Sequence, residues 1–334
     1  MAETSRDHVL IAGVTTRALA VSAARAGYRV TAIDAFGDLD LREAAEVIVA
    51  RPAAPGTPYG PLQAAAEGDR IPAYYTAYTS NFENYPSAVR RLARGRRLLG
   101  NTADTLMRVR NPFTLSQALR RCGLTAPAIR SRPPSGTAAR DQWLLKPRRS
   151  GGGHGITRWT RGRPVPRSMY LQQRIAGIPG SISFAANGSS AVVLGFSRQL
   201  VGDVRFGAGG YRYCGSVLGN DRTRLFPRQR ELLVRAAEVA EAITREFQLV
   251  GLNGIDFVAH RGVPYPIEVN PRFSASMELI EHARGTSMFR IHAEACHGLL
   301  PGSPERQSVL HGKAIVFARA GTQVPNAQWF RQRW

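Results

Sequence analysis

Residues 143–156 read WLLKPRRSGGGHGI, and the order of residue types in that stretch decides what kind of fold can carry it. Three apolar residues run into Lys146, the pattern of a buried strand ending in a charge. A turn then opens into Ser150, Gly151, Gly152, Gly153, His154 and Gly155, with Ile156 closing the run. Consecutive glycines let backbone N–H groups approach and cradle phosphate oxygens, while a lysine supplies point charge to the same anion. A Walker loop is excluded, because the lysine precedes the glycines and no G-K-[ST] follows; in protein kinases the glycine loop comes before the lysine. The competing reading is a flexible surface loop beside a solvated lysine. Composition weakens it: Lys146 and Lys313 are the only lysines of the chain.

Further along, residues 251–272 read GLNGIDFVAHRGVPYPIEVNPR. Residues 254–259 and 265–269 are expected as two strands joined at His260, Arg261 and Gly262. Glu268 and Asn270 share one face of an extended strand, and a hairpin brings Asp256 opposite them. Oxygen ligands so placed suit Mg²⁺, which takes a few carboxylates together with substrate phosphates and water. Ile267 and Val269 flank Glu268 and are expected on the packed face. Between the two stretches, residues 170–184 (YLQQRIAGIPGSISF) read as a strand end, a connector and a second strand, a hinge against which an adenine could stack.

Before all of this, residues 8–34 form a strand, helix, strand pattern: HVLIAG, then a helical spacing over 15–27, then YRVTAID. That is the β-α-β unit of a parallel sheet. Its turn is G-V-T-T-R rather than G-x-G-x-x-G, so the dinucleotide fingerprint is missing and a scaffold without nucleotide is the expectation. Residues 51–60 and 131–139 are Pro- and Gly-rich loops, and residues 114–123 read as a helix stopped at Gly123.

The chain has 334 residues and a formal net charge of +21, long enough for two or three packed domains. Because nearly all of that charge is arginine, spread along the chain without an aromatic-interleaved basic run, a nucleic-acid partner is disfavoured. A diffuse positive field that draws in anionic small substrates is the alternative. The cysteines, Cys122, Cys214 and Cys296, form no C-x-x-C pair, which excludes a disulfide framework and a thiolate zinc site and suggests a reduced, cytoplasmic chain. The charged first ten residues do not form a signal peptide, and no apolar run approaches the roughly 20 residues needed to span a bilayer.

Taken in order, the lysine before a glycine loop, the Q-Q-R-I-x-G hinge and the D-x(11)-E-x-N-P-R ending resemble the ATP-grasp superfamily over roughly residues 101–300. The opening residues and the NFENYP segment at 81–86 resemble its branch of predicted carboligases related to biotin carboxylase, which includes the tyramine–glutamate ligase of methanofuran synthesis and relatives in the methylofuran pathway of methylotrophs. The resemblance implies an α/β architecture: an ATP-grasp fold of two α+β subdomains gripping ATP, preceded by a Rossmann-like parallel-sheet domain. The implied divisions are 1–100, the small subdomain 101–171, the large subdomain 172–300 and a C-terminal extension 301–334.

Carried over position by position, the resemblance gives Lys146 the ATP phosphates and closes the glycine loop from Gly151, Gly152 and Gly153 through His154, Gly155 and Ile156 over them. It places adenine at Gln172, Gln173 and Ile175, and gives Asp256, Glu268 and Asn270 to two Mg²⁺ ions, with Mn²⁺ as a substitute. Arg272 would steady the transferred phosphoryl group. Where the superfamily often has an early lysine, this chain reads Val109, Arg110, Asn111, Pro112, leaving Arg108 or Arg110 as the replacement. No acid stands near 179–181 for the ribose. The implied activity is ADP-forming carboxylate–amine ligation through an acyl phosphate, joining L-glutamate to tyrosine, tyramine or a glutamyl chain. A homodimer is compatible with it; a degenerate scaffold subunit and a basic nucleic-acid-binding protein are the alternatives. Arg205, Tyr211, Arg212 and Tyr213, in the Gly-rich stretch 204–215, are candidate substrate contacts. Glu278, just beyond the acidic motif, is expected to matter little.

Overall fold

A computed structural model describes residues 7–50, 59–134, 142–220, 222–302 and 309–320. Most of the two Pro/Gly-rich loops, the first six residues and much of the segment 301–334 lie outside the described residues.

Strands β1 (His8–Ala12), β2 (Arg29–Asp34), β3 (Glu46–Val49), β4 (Tyr75–Tyr78) and β5 (Arg97–Leu98) form a parallel sheet in the order β3-β2-β1-β4-β5. Helices α1 (Arg17–Arg25), α2 (Leu39–Ala44), α3 (Pro61–Gly68) and α4 (Pro86–Leu92) lie between the strands. The central strand, HVLIA, is buried along its whole length, as a strand covered on both faces must be.

Helices α5 (Ala103–Val109) and α6 (Pro112–Arg121) lead into a smaller antiparallel sheet. Its strands are β6 (Ile129–Arg130), β7 (Trp143–Pro147), β8 (Thr157–Arg158) and β9 (Met169–Gln173), in the order β6-β9-β7-β8. Helix α6 starts two residues before the expected Thr114, for a local reason. Asn111 caps it by accepting from Phe113 N at 3.0 Å, and Pro112 presets the first helical φ.

The largest sheet is antiparallel, in the order β14-β13-β10-β11-β12-β15. It comprises β10 (Ile178–Asn187), β11 (Ala191–Val201), β12 (Tyr213–Leu218), β13 (Val250–His260), β14 (Val263–Asn270) and β15 (His311–Ala314). Both strands of the acidic hairpin run longer than the sequence pattern suggests, because pairing continues to His260 opposite Val263. The described part of segment 301–334 pairs with β12, so it completes this sheet instead of trailing from it. Helix α7 (Gln229–Phe247) lays Leu232, Ala236, Val239, Ala240, Ile243 and Phe247 into the core with helical spacing. Each such large side chain contributes about 1.5–3 kcal/mol on burial.

Helices α8 (Ala275–Arg284) and α9 (Met288–Cys296) join the two larger sheets through one continuous apolar core running from Val9, Ile11 and Leu19 to Met277, Ile280 and Phe289. Polar contacts fix the junction. Tyr78 donates to Asn101 O (2.9 Å), Asn101 Nδ2 donates to Asn253 Oδ1 (2.8 Å), and Leu252 N donates to His292 Nδ1 (2.8 Å), whose Nε2 meets Leu99 O at 3.1 Å. Glu278 belongs to this seam: it accepts from Arg17 of α1 (2.7 Å) and from Lys313 of β15. One carboxylate thus ties three elements together, a structural role that stands beside the expectation of little effect on turnover.

Candidate active site

Alternation along β7 turns Leu145 into the small core with Trp143 and sends Lys146 to the opposite face, where it is buried. Lys146 Nζ donates to Gln172 Oε1 at 3.0 Å, and Gln172 Nε2 donates to Ile267 O at 3.1 Å, bridging the small sheet to β14. Among the described residues no carboxylate lies within ion-pair distance of Lys146. Glu268 acts on it only from beyond contact distance, so the position leaves room for an anion to approach Lys146 directly.

The glycine loop follows. Gly152, Gly153 and Gly155 all have positive φ. A Cβ on Gly153 would lie 1.8 Å from Tyr211 O, so no other residue fits there. The loop is held by Tyr213 N donating to Gly152 O (3.0 Å) and by Ser150 Oγ donating to His154 O (2.6 Å). The His154 side chain is exposed, while Ile156 and Gly151 line the cleft beneath.

That cleft lies between the small sheet and β14. Val109, Leu115, Ile129 and Ile267 give it apolar walls; Arg110, Lys146, Gln172 and Glu268 give it polar ones. A cleft with both apolar walls and charged groups can hold a nucleotide.

Asp256 and Glu268 stand opposite each other across β13 and β14, with a bulge directly after Asp256. Asp256 accepts from Gln199 Nε2 (2.8 Å) and Asn270 Nδ2 (3.0 Å). Burial, and then the charge of Glu268, push its carboxyl up to about 6. Burial acts on Glu268 in the same direction, but Arg110, Lys146 and Arg272 around it outweigh this and hold its carboxyl below the usual range. Among the described residues no three His, Cys, Asp or Glu side chains converge on a metal position. The donor set is two carboxylates and an amide, and it fits a hard cation completed by phosphate oxygens and water.

The structure separates the two candidate arginines. Arg110 donates to Glu268 Oε1, to Val269 O (2.9 Å), to Asn84 Oδ1 (2.8 Å) and to Ser150 O (3.2 Å). Arg108 turns the other way, to Glu246 O (2.7 Å) and the ring of Phe247. Arg272 lies 2.7 Å from Glu83 of the first domain and also donates to Phe273 O.

Not every sequence candidate converges. Tyr213 is mostly buried, with its hydroxyl 2.9 Å from Ser216 Oγ; burial above all, with Asp256 nearby, pushes the phenol up to about 12. Arg205 pairs with Asp203 at the surface, and Arg212 lies over the ring of Phe317, so neither is brought to the carboxylates. Tyr211 meets the loop through its backbone. Gln173 Oε1 accepts from Ala128 N (3.1 Å), and Ile175 sits half-buried on the connection to β10.

Sequence reasoning assigned no chemistry to Glu83, Asn84 or Gln199. A signal for the first two was present: an acid and an amide between Phe82 and Tyr85, just past a strand end of a parallel sheet, where ligands gather.

The ATP-grasp domain family matches residues 109–276, half of the 334-residue chain. The fold resembles the biotin carboxylase domain of Hydrogenobacter thermophilus 2-oxoglutarate carboxylase, solved with MgADP and bicarbonate. The TM-score is 0.68 at 14% identity, over 92% of this chain and 73% of that one. It also resembles the L-amino acid ligase of Bacillus licheniformis, with a TM-score of 0.67 at 17% identity over 95% of this chain and 82% of that one. Rhizobium etli pyruvate carboxylase matches at 0.68 and 17% over 89% of this chain, which spans only 29% of that protein. At these identities the likeness is one of fold.

Proposed function

The chain belongs to the ATP-grasp domain family, and from that premise we propose that it is an ADP-forming ligase joining a carboxylate to an amine. The observation that carries the reading is Lys146, buried with no carboxylate within ion-pair distance among the described residues, in a cleft that Glu268, one of an opposed carboxylate pair, also lines. In this reading Lys146 and the loop 151–155 hold the ATP phosphates, Arg110 replaces the absent early lysine, and the connection 172–175 holds adenine. Asp256, Glu268 and Asn270 would hold Mg²⁺, which when bound neutralises phosphate charge.

The substrate carboxylate attacks the γ-phosphorus, ADP leaves, and the amine displaces phosphate from the acyl phosphate. Arg272, aligned by Glu83, offers its guanidinium to the transferring group, and the loop excludes water. No side-chain nucleophile is required. The subdomain divisions at 100, 171 and 300 belong to the same proposal, as do a cytoplasmic location and a homodimer. Among the described residues no helix is long and apolar enough to cross a membrane.

For substrates we propose L-glutamate with tyrosine, tyramine or a glutamyl chain. The support is the resemblance of residues 8–42 and 81–86 to the tyramine–glutamate ligase branch, together with a net charge of +21 that favours encounter with anionic substrates. The test incubates the protein with ATP, Mg²⁺, glutamate and each amine, and follows ADP and the amide by mass spectrometry. ADP release that needs both carboxylate and amine supports the ligase. An amide with another amino acid and none with glutamate removes the glutamate assignment but leaves the chemistry. Neither nucleotide binding nor turnover with any mixture of amino acids removes the ligase.

A further inference from the structure

The corner around Glu83 holds buried polar atoms without partners among the described residues. Glu83 is 1% exposed, and its Oε1 faces Arg272 at 2.7 Å, yet its Oε2 is buried with no hydrogen-bond partner among the described residues. Asn81, two residues earlier on the same loop, also buries an unpartnered Oδ1. Leaving such an atom unpaired costs about 1–3 kcal/mol, more for a charged group, and most buried polar atoms avoid it. Both of these atoms are acceptors, and both follow β4 of the parallel sheet, whereas Arg272 Nε, in the guanidinium that faces Glu83, is a buried donor also without a partner among the described residues. The two acceptors lack a group that brings several N–H donors at once, and a primary ammonium has three.

Resting on the ligase reading, we propose that Glu83 and Asn81 form the subsite for the primary amine that attacks the acyl phosphate. The location suits the role, because Glu83 touches the guanidinium assigned to the transferring phosphoryl group. The ammonium gives one proton to Glu83, which releases it to solvent when the glycine loop next lifts. The freed lone pair forms the C–N bond, the C–O bond to phosphate breaks with its electrons, and a second N–H proton leaves on the phosphate. Entry is coupled to the glycine loop: Ser150 O accepts from Asn84 (3.3 Å) and Arg110 (3.2 Å), so the loop that covers the nucleotide rests on the residue beside Glu83. The amine enters while the loop is lifted.

The test uses the full chain with Mg-ATP and the twenty amino acids as acyl donors, and compares two kinds of nucleophile. Tyramine and the amino acids arrive as ammonium ions; hydroxylamine is uncharged at neutral pH and needs neither charge recognition nor a proton acceptor. Glu83→Gln keeps the shape and loses both functions. For the ammonium nucleophiles its kcat/KM should fall about 100-fold or more, the scale of a lost acid–base group. Hydroxamate formation should fall at least ten-fold less, with ATP affinity within about three-fold. Asn81→Ala should shift the same ratio in the same direction, by roughly five-fold, the worth of one hydrogen bond. Equal loss for both nucleophiles, which leaves the ratio unchanged, overturns the proposal in favour of a purely structural ion pair, and no loss for either nucleophile overturns it in favour of a trapped water. Wild-type protein that makes hydroxamate but accepts no ammonium nucleophile overturns this proposal alone. If it makes neither product, the ligase reading fails and takes the subsite with it.

Discussion

Asp34 closes a strand of the parallel sheet and Asp256 lies within a strand of the antiparallel one, and the two carboxylates are treated in opposite ways. Asp34 accepts from Phe36 N (2.7 Å), Gly37 N (2.8 Å), Thr16 N (2.6 Å) and Thr16 Oγ1 (2.8 Å). Three of these donors are backbone groups that cannot swing away, and both oxygens are fully used. Asp256 accepts from the side chains of Gln199, Asn270 and Ser181, faces a second carboxylate, and has its carboxyl pushed up to about 6 by burial first and by that neighbour second. An acid that builds a loop is surrounded by permanent donors. Asp256, the acid proposed to hold a metal ion, is surrounded by movable side chains and faces a second carboxylate.

The contrast is sharpest under substitution. Asp256→Asn and Glu268→Gln should each lower turnover by about 10²–10⁴-fold, the range for losing an electrostatic catalytic group. Thermal stability should hold or rise in Asp256→Asn, because a buried like-charge pair is relieved, and should fall in Glu268→Gln, because Arg110 loses its paired carboxylate. Steady-state ADP release and a melting curve on the same samples check both halves. Asp34→Asn should do the reverse. Replacing an acceptor-only carboxylate by an amide turns an NH₂ group toward backbone N–H donors and should cost about 2–4 kcal/mol, read by chemical denaturation. The protein that remains folded should keep its affinity for ATP.

Acid titration gives a somewhat smaller effect. Burial holds His292 at about 4, against an ordinary 6.5, and its ring is fixed neutral between Leu252 N and Leu99 O. Below the ordinary value the unfolded chain binds a proton that the folded chain refuses. Stability from this group is therefore full above about pH 6.5 and falls as the pH drops toward 4, by up to about 3 kcal/mol. Denaturation at pH 7 and pH 5, compared between wild type and His292→Gln, isolates it. The difference cancels the opposite contribution of Asp256, whose raised carboxyl gains protons on folding. The smallest effect is at the seam. Glu278→Gln breaks two partly exposed ion pairs and should cost about 1 kcal/mol, with little change in turnover.

The local halves of the site could be read from sequence, and the reason is physical. Alternation along β14 puts Glu268 and Asn270 on one face without help from the rest of the chain, and consecutive glycines announce their own loop. What joins distant segments could not be read. Residues 108 and 110 are two apart, about 200° around a helix, so one reaches Glu268 while the other points to α7, and no pattern in α5 says which. Glu83 meets Arg272 only because the first domain is packed onto the large sheet through the Asn101 and His292 contacts. The importance of Glu278 is likewise invisible until Arg17 and Lys313 arrive from both ends of the chain.

Calorimetric titration of ATP into the protein with and without Mg²⁺, for wild type and Asp256→Asn, tests the central claim most directly. The account predicts one site per chain, tighter by at least ten-fold when Mg²⁺ is present, with that gain lost in Asp256→Asn while the metal-free affinity is kept. Equal affinity with and without Mg²⁺ in the wild type, or an undiminished Mg²⁺ gain in the variant, would contradict it.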